Sequence, residues 1–325
     1  MSIFEKGKHL DPDYDHLDRY CDVAYKSIWT PAKYLKNIKR ADVPEVKNTM
    51  DLVDRQAIER CILAVILVED KVKLYWPTTY FDFPQTIIGD VGGMFGQMEV
   101  THRKSYSALA KELGLDLDQA NSTKQLNARI KYLNKHLEED PTIIGDKRKL
   151  KRLVLFTSLV ERCSLFTQFY ILMSYCNANR GLQHIASLQQ STALEELFHY
   201  NFGVELINII KKQKPQIWTD YLVDLVNKNI KAAYKAELKL IDWFFEAGVP
   251  EHLSKEEVVN FLNYNFNQIS EDLELPSTYK YDQEMYDELN SWMLIRVMSS
   301  EPDFFNAAVG GYSSTDEDEF EDIFG

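Results

Sequence analysis

Between residues 51 and 76 the apolar side chains Ile58, Ile62, Val65, Ile66, Val72 and Trp76 recur at intervals dominated by three and four, the spacing that lines one face of an α-helix. A long helix is expected there. Trp76-Pro77 through Phe83-Pro84 reads as a turn-rich break, because proline disfavours helix at the residue before it. Asp90 is placed as the cap of a second helix over about 91–113. The same periodicity, with turn signals between segments, predicts helices around 122–137, 150–176, 182–212, 217–247, 255–266 and 283–298. Alternating β patterns are sparse, no repeat of solenoid length is present, and no Gly/Ser or Pro linker interrupts the first 300 residues. The reading is an all-α body over residues 1–300, then a tail over 301–325 that starts at Glu301-Pro302 and runs through Gly310-Gly311.

Composition supports a soluble, helix-rich chain: 325 residues, 45% hydrophobic and 27% charged, with only 13 Gly and 10 Pro. The stretch 153–176 is apolar enough to raise the question of a membrane span, but Glu161, Arg162, Ser164 and Gln168 interrupt it. It is read as a helix buried in protein, and no membrane association is expected. Cys21, Cys61, Cys163 and Cys176 show no C-x-x-C spacing, and MSIFEKGKHL has no positive-then-apolar leader, so a cytoplasmic location with reduced thiols is expected. A net charge of −13 argues against nucleic-acid binding, which needs cations to neutralise phosphates. Six of those negative charges, Asp316 to Glu319, Glu321 and Asp322, fall in the last ten residues and mark a solvated tail.

The carboxylates on apolar faces change the picture more. Glu69 and Lys73 share the face of Ile62, Val65, Val72 and Trp76. A buried ionised carboxylate without a partner takes up a proton instead, so Glu69 needs a cation or solvent; an ion pair with Lys73 at the rim of the core is the plain alternative. Glu161 sits in the most apolar helix, and Arg162 cannot neutralise it, since consecutive helical residues point about 100° apart. Glu99 and His102, and again Glu196 and His199, stand three apart, so each pair can offer an oxygen and an imidazole nitrogen to one point. One such pair is a weak signal. Two helices each giving one Glu, and two more each giving Glu-x-x-His, form the ligand inventory of ferritin-like di-iron and di-manganese carboxylate proteins. Such donors suit iron or manganese, and four carboxylates nearly neutralise two divalent ions. The Gly89 to Gly96 run lacks the preceding strand and the lysine of a phosphate loop, and is read as allowing close helix packing.

These residues resemble the class I ribonucleotide reductase small subunit over almost the whole chain. Glu99-Val-Thr-His102-Arg-Lys-Ser-Tyr106 is similar to that family's ligand helix with its radical-site tyrosine, a buried hydrogen-bonded tyrosine being the alternative for Tyr106. Ala193-Leu-Glu-Glu-Leu-Phe-His199 is similar to the second ligand helix, with Glu195 as the acid behind the ligands, where many members have Asp. Trp29, in Ser27-Ile-Trp-Thr-Pro31, matches the tryptophan that relays an electron toward the metals. Tyr312 matches the tail tyrosine that passes oxidising equivalents across the subunit interface, and Glu319-Phe-Glu-Asp-Ile-Phe324 resembles the peptide that docks on the large subunit. Glu69, where the best-known di-iron members have Asp, together with Lys73, resembles the class Id subgroup, whose dimanganese cluster is assembled with superoxide and needs no tyrosyl radical. A cation there would attract an anionic oxidant.

The resemblance implies a ferritin-like bundle holding two metal ions on Glu69, Glu99, His102, Glu161, Glu196 and His199, dimanganese first, with di-iron or Mn/Fe as alternatives. It implies a homodimer that delivers a radical equivalent through Trp29 and Tyr312 to a cysteine of a separate large subunit, which reduces ribonucleoside diphosphates. The alternatives are a ligand-binding oxidase on the same scaffold, acting without a large subunit, and a ferritin-like metal store or purely structural bundle.

Overall fold

The computed structural model describes residues 2–7, 12–72, 74–117 and 123–299, and among these all regular structure is helical. Short helices α1 (Arg19–Ser27), α2 (Ala32–Asn37) and α3 (Val43–Asn48) come first. Periodicity did not mark them, because six to nine residues span too few turns to display a stripe. Helix α4 (Leu52–Val72) lies where it was expected, with Ile58, Ile62, Val65 and Ile66 buried.

The stretch read as turns is instead helix α5 (Tyr75–Asp82). Pro77 falls in its first turn, where a backbone N–H has no intrahelical acceptor and proline loses nothing. Helix α6 (Thr86–Leu113) starts earlier than predicted, after the extended Gln85; Asp90 lies exposed inside it and is not its cap. The glycines of α6 do permit close packing. A Cβ on Gly92 would stand 2.4 Å from the Trp76 carbonyl oxygen, and one on Gly96 would stand 2.3 Å from Pro77 Cγ. That approach presses Trp76 into the core, where its ring is fully buried.

After α7 (Lys124–Leu133), the segment expected as one helix over 150–176 is broken into α8 (Gly145–Ser158), a π-helical turn (Leu159–Cys163) and α9 (Phe166–Asn177). No glycine or proline marks the break in the sequence. Tertiary contacts secure it: the Gln168 amide, oriented to suit its neighbours, donates to the Ser164 and Leu165 carbonyls at 2.6 and 3.2 Å and accepts from Arg129 Nη2 at 2.7 Å. Arg129 is fully buried and pairs with Glu237 on α11 (Asp220–Phe244), its Nε donating to Glu237 Oε1 at 2.9 Å.

Helix α10 (Gln183–Gln213) is the longest, and α12 (Lys255–Asp272) starts from a capping box in which Ser254 and Glu257 satisfy each other's backbone N–H. The last predicted helix is also interrupted, by a π-helical turn (Tyr286–Asn290) before α13 (Ser291–Met298). Helix α4 packs on α6 and α9, while α8, the π-helical turn and α9 pack on α10, so four elements, α4, α6, the π-helical turn and α10, converge on one interior. No described helix is long and apolar enough to cross a membrane.

Candidate metal centre

Each of the four converging elements carries acid into that interior. Glu69 comes from α4, Glu99 and His102 from α6, Glu161 from the π-helical turn, and Glu196 and His199 from α10. All six are at most 1% exposed. A π-helical turn inserts a residue into the helical ladder and re-aims the side chains beyond it, and such turns are frequent at functional sites.

The six form two overlapping groups: Glu69, Glu99, His102 and Glu196, then Glu99, Glu161, Glu196 and His199, with one potential ligand atom from each residue lying within 4.8 Å of the others. Glu99 and Glu196 belong to both. His102 Nδ1 lies 3.1 Å from Glu196 Oε1, 3.7 Å from Glu69 Oε2 and 3.8 Å from Glu99 Oε2. His199 Nδ1 lies 3.2, 3.5 and 3.6 Å from oxygens of Glu99, Glu196 and Glu161. The arrangement is a pair of half-sites joined by two shared carboxylates.

The donor atoms point at one another without satisfying one another. Both oxygens of Glu69, Glu99 and Glu196, Glu161 Oε2, and Nδ1 of both histidines are buried with no aligned hydrogen bond. So dense a set of orphaned buried atoms is rare in native proteins, and two divalent cations would satisfy it. The residues therefore fit a dinuclear metal group. Electrostatics agree. Burial, reinforced by Glu99 and Glu196, holds the Glu69 carboxyl well above its ordinary pKa, and burial with Glu196 does the same to Glu161. Burial would lower both imidazoles, but the surrounding carboxylates win and raise them. Burial also pushes Glu196 up, yet contacts with Glu161, His102 and His199 bring it below the usual carboxylate range.

Around the cluster, His102 Nε2 meets Glu195 Oε2 at 2.5 Å, which leaves Nδ1 to face the acids. Trp29, 6% exposed, stacks on the His102 ring with centroids 5.9 Å apart and planes at 23°. Tyr106 is fully buried one turn after His102; its hydroxyl sits 2.9 Å from Gln189 Oε1 and 3.0 Å from Thr192 Oγ1 on α10. Burial, then the charge of Glu69, raises its pKa and keeps the phenol neutral. Lys73 and Tyr312 lie outside the described residues.

Sequence reasoning missed Trp76 as a member of this environment. The Trp76 indole N–H donates to Glu161 Oε1 at 2.7 Å. In the sequence Trp76 looked like the last apolar position of α4; only the α5 turn onto Gly92 and Gly96 brings its ring to Glu161. Phe95, 4.3 Å from the His199 ring centroid, shields the same side.

A family profile described as "Ribonucleotide reductase, small chain" matches residues 9–285. The ribonucleoside-diphosphate reductase subunit beta of Chlamydia pneumoniae is 29% identical over 90 residues, which are 28% of this chain and 26% of that protein. The match thus spans about a quarter of that relative's length. Among solved structures, the ribonucleotide reductase R2 subunit from Clostridium botulinum has a TM-score of 0.75 at 14% identity, covering 91% of this chain and 94% of that one. The dimanganese(II) NrdF protein of Streptococcus sanguinis gives 0.67 at 14% identity, covering 90% and 99%. An R2-like ligand-binding oxidase with an aerobically reconstituted Mn/Fe cofactor gives 0.63 at 12% identity, covering 83% and 96%. Likeness at such identities establishes the fold, which is all-α and ferritin-like. With the profile spanning most of the described body, the chain belongs to the ribonucleotide reductase small-chain family.

Proposed function

We propose that this chain is the radical-generating subunit of a ribonucleoside-diphosphate reductase, with Glu69, Glu99, His102, Glu161, Glu196 and His199 as ligands of two metal ions. The observation that carries the reading is the pair of half-sites sharing Glu99 and Glu196, with Trp29 stacked on His102. When bound, two redox-active ions supply a one-electron oxidant stored in the core. The protein's own residues do the rest. Glu195 accepts from His102 Nε2 and so fixes the tautomer that offers Nδ1. Trp76 orients Glu161, and Phe95 with the full burial of all six ligands excludes water. Trp29 gives up an electron toward His102, and Tyr312 passes the oxidising equivalent to a cysteine on a separate large subunit. Residues 1–300 form the working body and 301–325 the tail that docks on that subunit; two copies pair as a homodimer.

Within the family, we assign the chain to the class Id type, with dimanganese as the cofactor, because Glu69 replaces Asp and Lys73 stands one turn later. Electron paramagnetic resonance tests this directly. A manganese-loaded, superoxide-exposed sample is expected to give a multiline signal coupled to manganese nuclei; a narrow tyrosyl doublet, found only in an iron-loaded, oxygen-exposed sample, would move the oxidant to Tyr106. The likeness to the R2-like ligand-binding oxidase supports a second reading, an oxidase working without a large subunit. Deleting residues 313–325 separates the two: weakened binding to the large subunit is expected, and unchanged binding would favour the oxidase.

A further inference from the structure

Trp29 lies in the core and Tyr312 follows the last described helix in the sequence, so delivery needs a step between them. We infer that Tyr34 is that step: it refills oxidised Trp29 with an electron and sheds its phenolic proton through Ser191, at the face on which the last described helix packs. This rests on the functional reading above and adds a residue to it.

Trp29 is built as a carrier of electrons alone. Its ring is stacked on His102, and its indole N–H is buried with no hydrogen-bond acceptor. An oxidised indole in that setting has no base to take its proton, so it stays a strong oxidant until a neighbour refills it. The neighbour in edge-on contact is Tyr34, with ring centroids 5.2 Å apart and planes at 73°.

Tyrosine oxidation near neutral pH requires loss of a proton with the electron, because the phenol is otherwise protonated. Tyr34 has the outlet. Its hydroxyl lies 2.6 Å from Ser191 Oγ, and Ser191 is only half-buried. Tyr75 and Tyr106 lack one: Tyr75 is buried with its hydroxyl unpartnered, and Tyr106 is enclosed by Gln189 and Thr192, themselves fully buried. The exposed Lys33 ammonium, 5.0 Å from the Tyr34 ring centroid, favours the electron-rich closed-shell ring, so Tyr34 passes the oxidising equivalent on and does not trap it.

The position also suits the tail. Gln190, the residue before Ser191, donates its amide to the Arg296 carbonyl at 3.1 Å and accepts from Arg296 Nε at 3.0 Å. Arg296 belongs to α13, the last described helix, and Tyr312 lies beyond Ser299 by 312 − 299 = 13 residues. In the step, one electron moves from the Tyr34 ring to the Trp29 radical cation, which returns to a closed shell. Tyr34 becomes a neutral radical as its proton crosses to Ser191 and Ser191 releases its own to water. The oxidising equivalent originates in the dimetal oxidant of the proposed function.

The test places aminotyrosine, a more easily oxidised analogue that traps the radical, singly at Tyr34, Tyr312 or the exposed Tyr221 of the full-length, metal-loaded protein with its large subunit. Trapped radicals are read by electron paramagnetic resonance. Signals at positions 34 and 312 but not 221, both lost on Trp29→Phe, are expected. In a Tyr34→Phe background the trap at 312 should form about tenfold more slowly or worse, with metal content unchanged. A silent position 34 beside an active 312, an unchanged rate at 312 after Tyr34→Phe, or equal trapping at 221 would each overturn the assignment of Tyr34 and leave the delivery reading standing. Silence at both 34 and 312 in fully loaded protein would overturn the two together.

Discussion

Trp76→Phe removes a single polar contact, the indole N–H that donates to Glu161 Oε1 at 2.7 Å, and keeps a ring among Phe95, Phe156 and Phe202. Glu161 must be ionised to hold a cation, and a hydrogen bond to a charged group contributes about 1.5–3 kcal/mol. Groups that support a metal ligand in this way typically change affinity by about 10- to 100-fold, equivalent to about 1.4–2.7 kcal/mol, so the two magnitudes agree. The loss should be asymmetric, because Glu161 belongs to the half-site of His199 and not to that of Glu69 and His102. Manganese titration of the metal-free protein by isothermal calorimetry should show one site weakened by that factor and the other changed by less than about twofold. The smaller ring also leaves a void, whose effect on folding is read separately from the unfolding midpoint of the metal-free variant. Two unchanged sites, or two sites weakened equally, would refute the assignment of Trp76 to the Glu161 side.

Glu195→Ala should free His102 Nε2 and weaken metal binding by about 10- to 100-fold, with Glu195→Asp retaining most of it; equal binding by the alanine variant in a metal titration would count against Glu195 as the residue that fixes the tautomer. Because Glu69, Glu161, His102 and His199 all hold protons to higher pH than free side chains do, metal loading must release protons. Affinity should therefore rise with pH, by about tenfold per unit for each proton displaced, and a flat profile between about pH 6 and pH 8 would contradict this. Gly92→Ala sets a Cβ against the Trp76 carbonyl, a backbone atom that cannot rotate aside, and should lower stability by about 1–3 kcal/mol; an unchanged unfolding midpoint would mean that α5 is free to retreat.

How far the sequence could be read depends on how each feature is encoded. The ligand set was legible because it is local: Glu-x-x-His twice, and a lone Glu in each of two apolar helices, are visible without knowing the fold, and all six residues meet. Trp29 was legible through family resemblance alone, since nothing in its immediate sequence announces the stack on His102. The π-helical turn under Glu161 was not legible, because Leu159 to Cys163 contains no helix breaker and the break is secured from a distance by Gln168, Arg129 and Glu237. Helix α5 was misread for a related reason. Proline was taken as a terminator, whereas Pro77 stands in a first turn that tolerates it, and that error hid the contact between Trp76 and Glu161. Tyr34 gave no signal, as its value lies in two contacts, to Trp29 and to Ser191, that only the packing of α2 against α10 creates.

The central claim, that this interior holds two metal ions bridged by shared carboxylates, is tested most directly by anomalous diffraction from crystals of the manganese-loaded protein. Two peaks about 3.5–4 Å apart are expected, both touching Glu99 and Glu196, one completed by Glu69 and His102 and the other by Glu161 and His199. A single peak in fully loaded protein, or ions bound by other residues while these six remain paired only with one another, would contradict it.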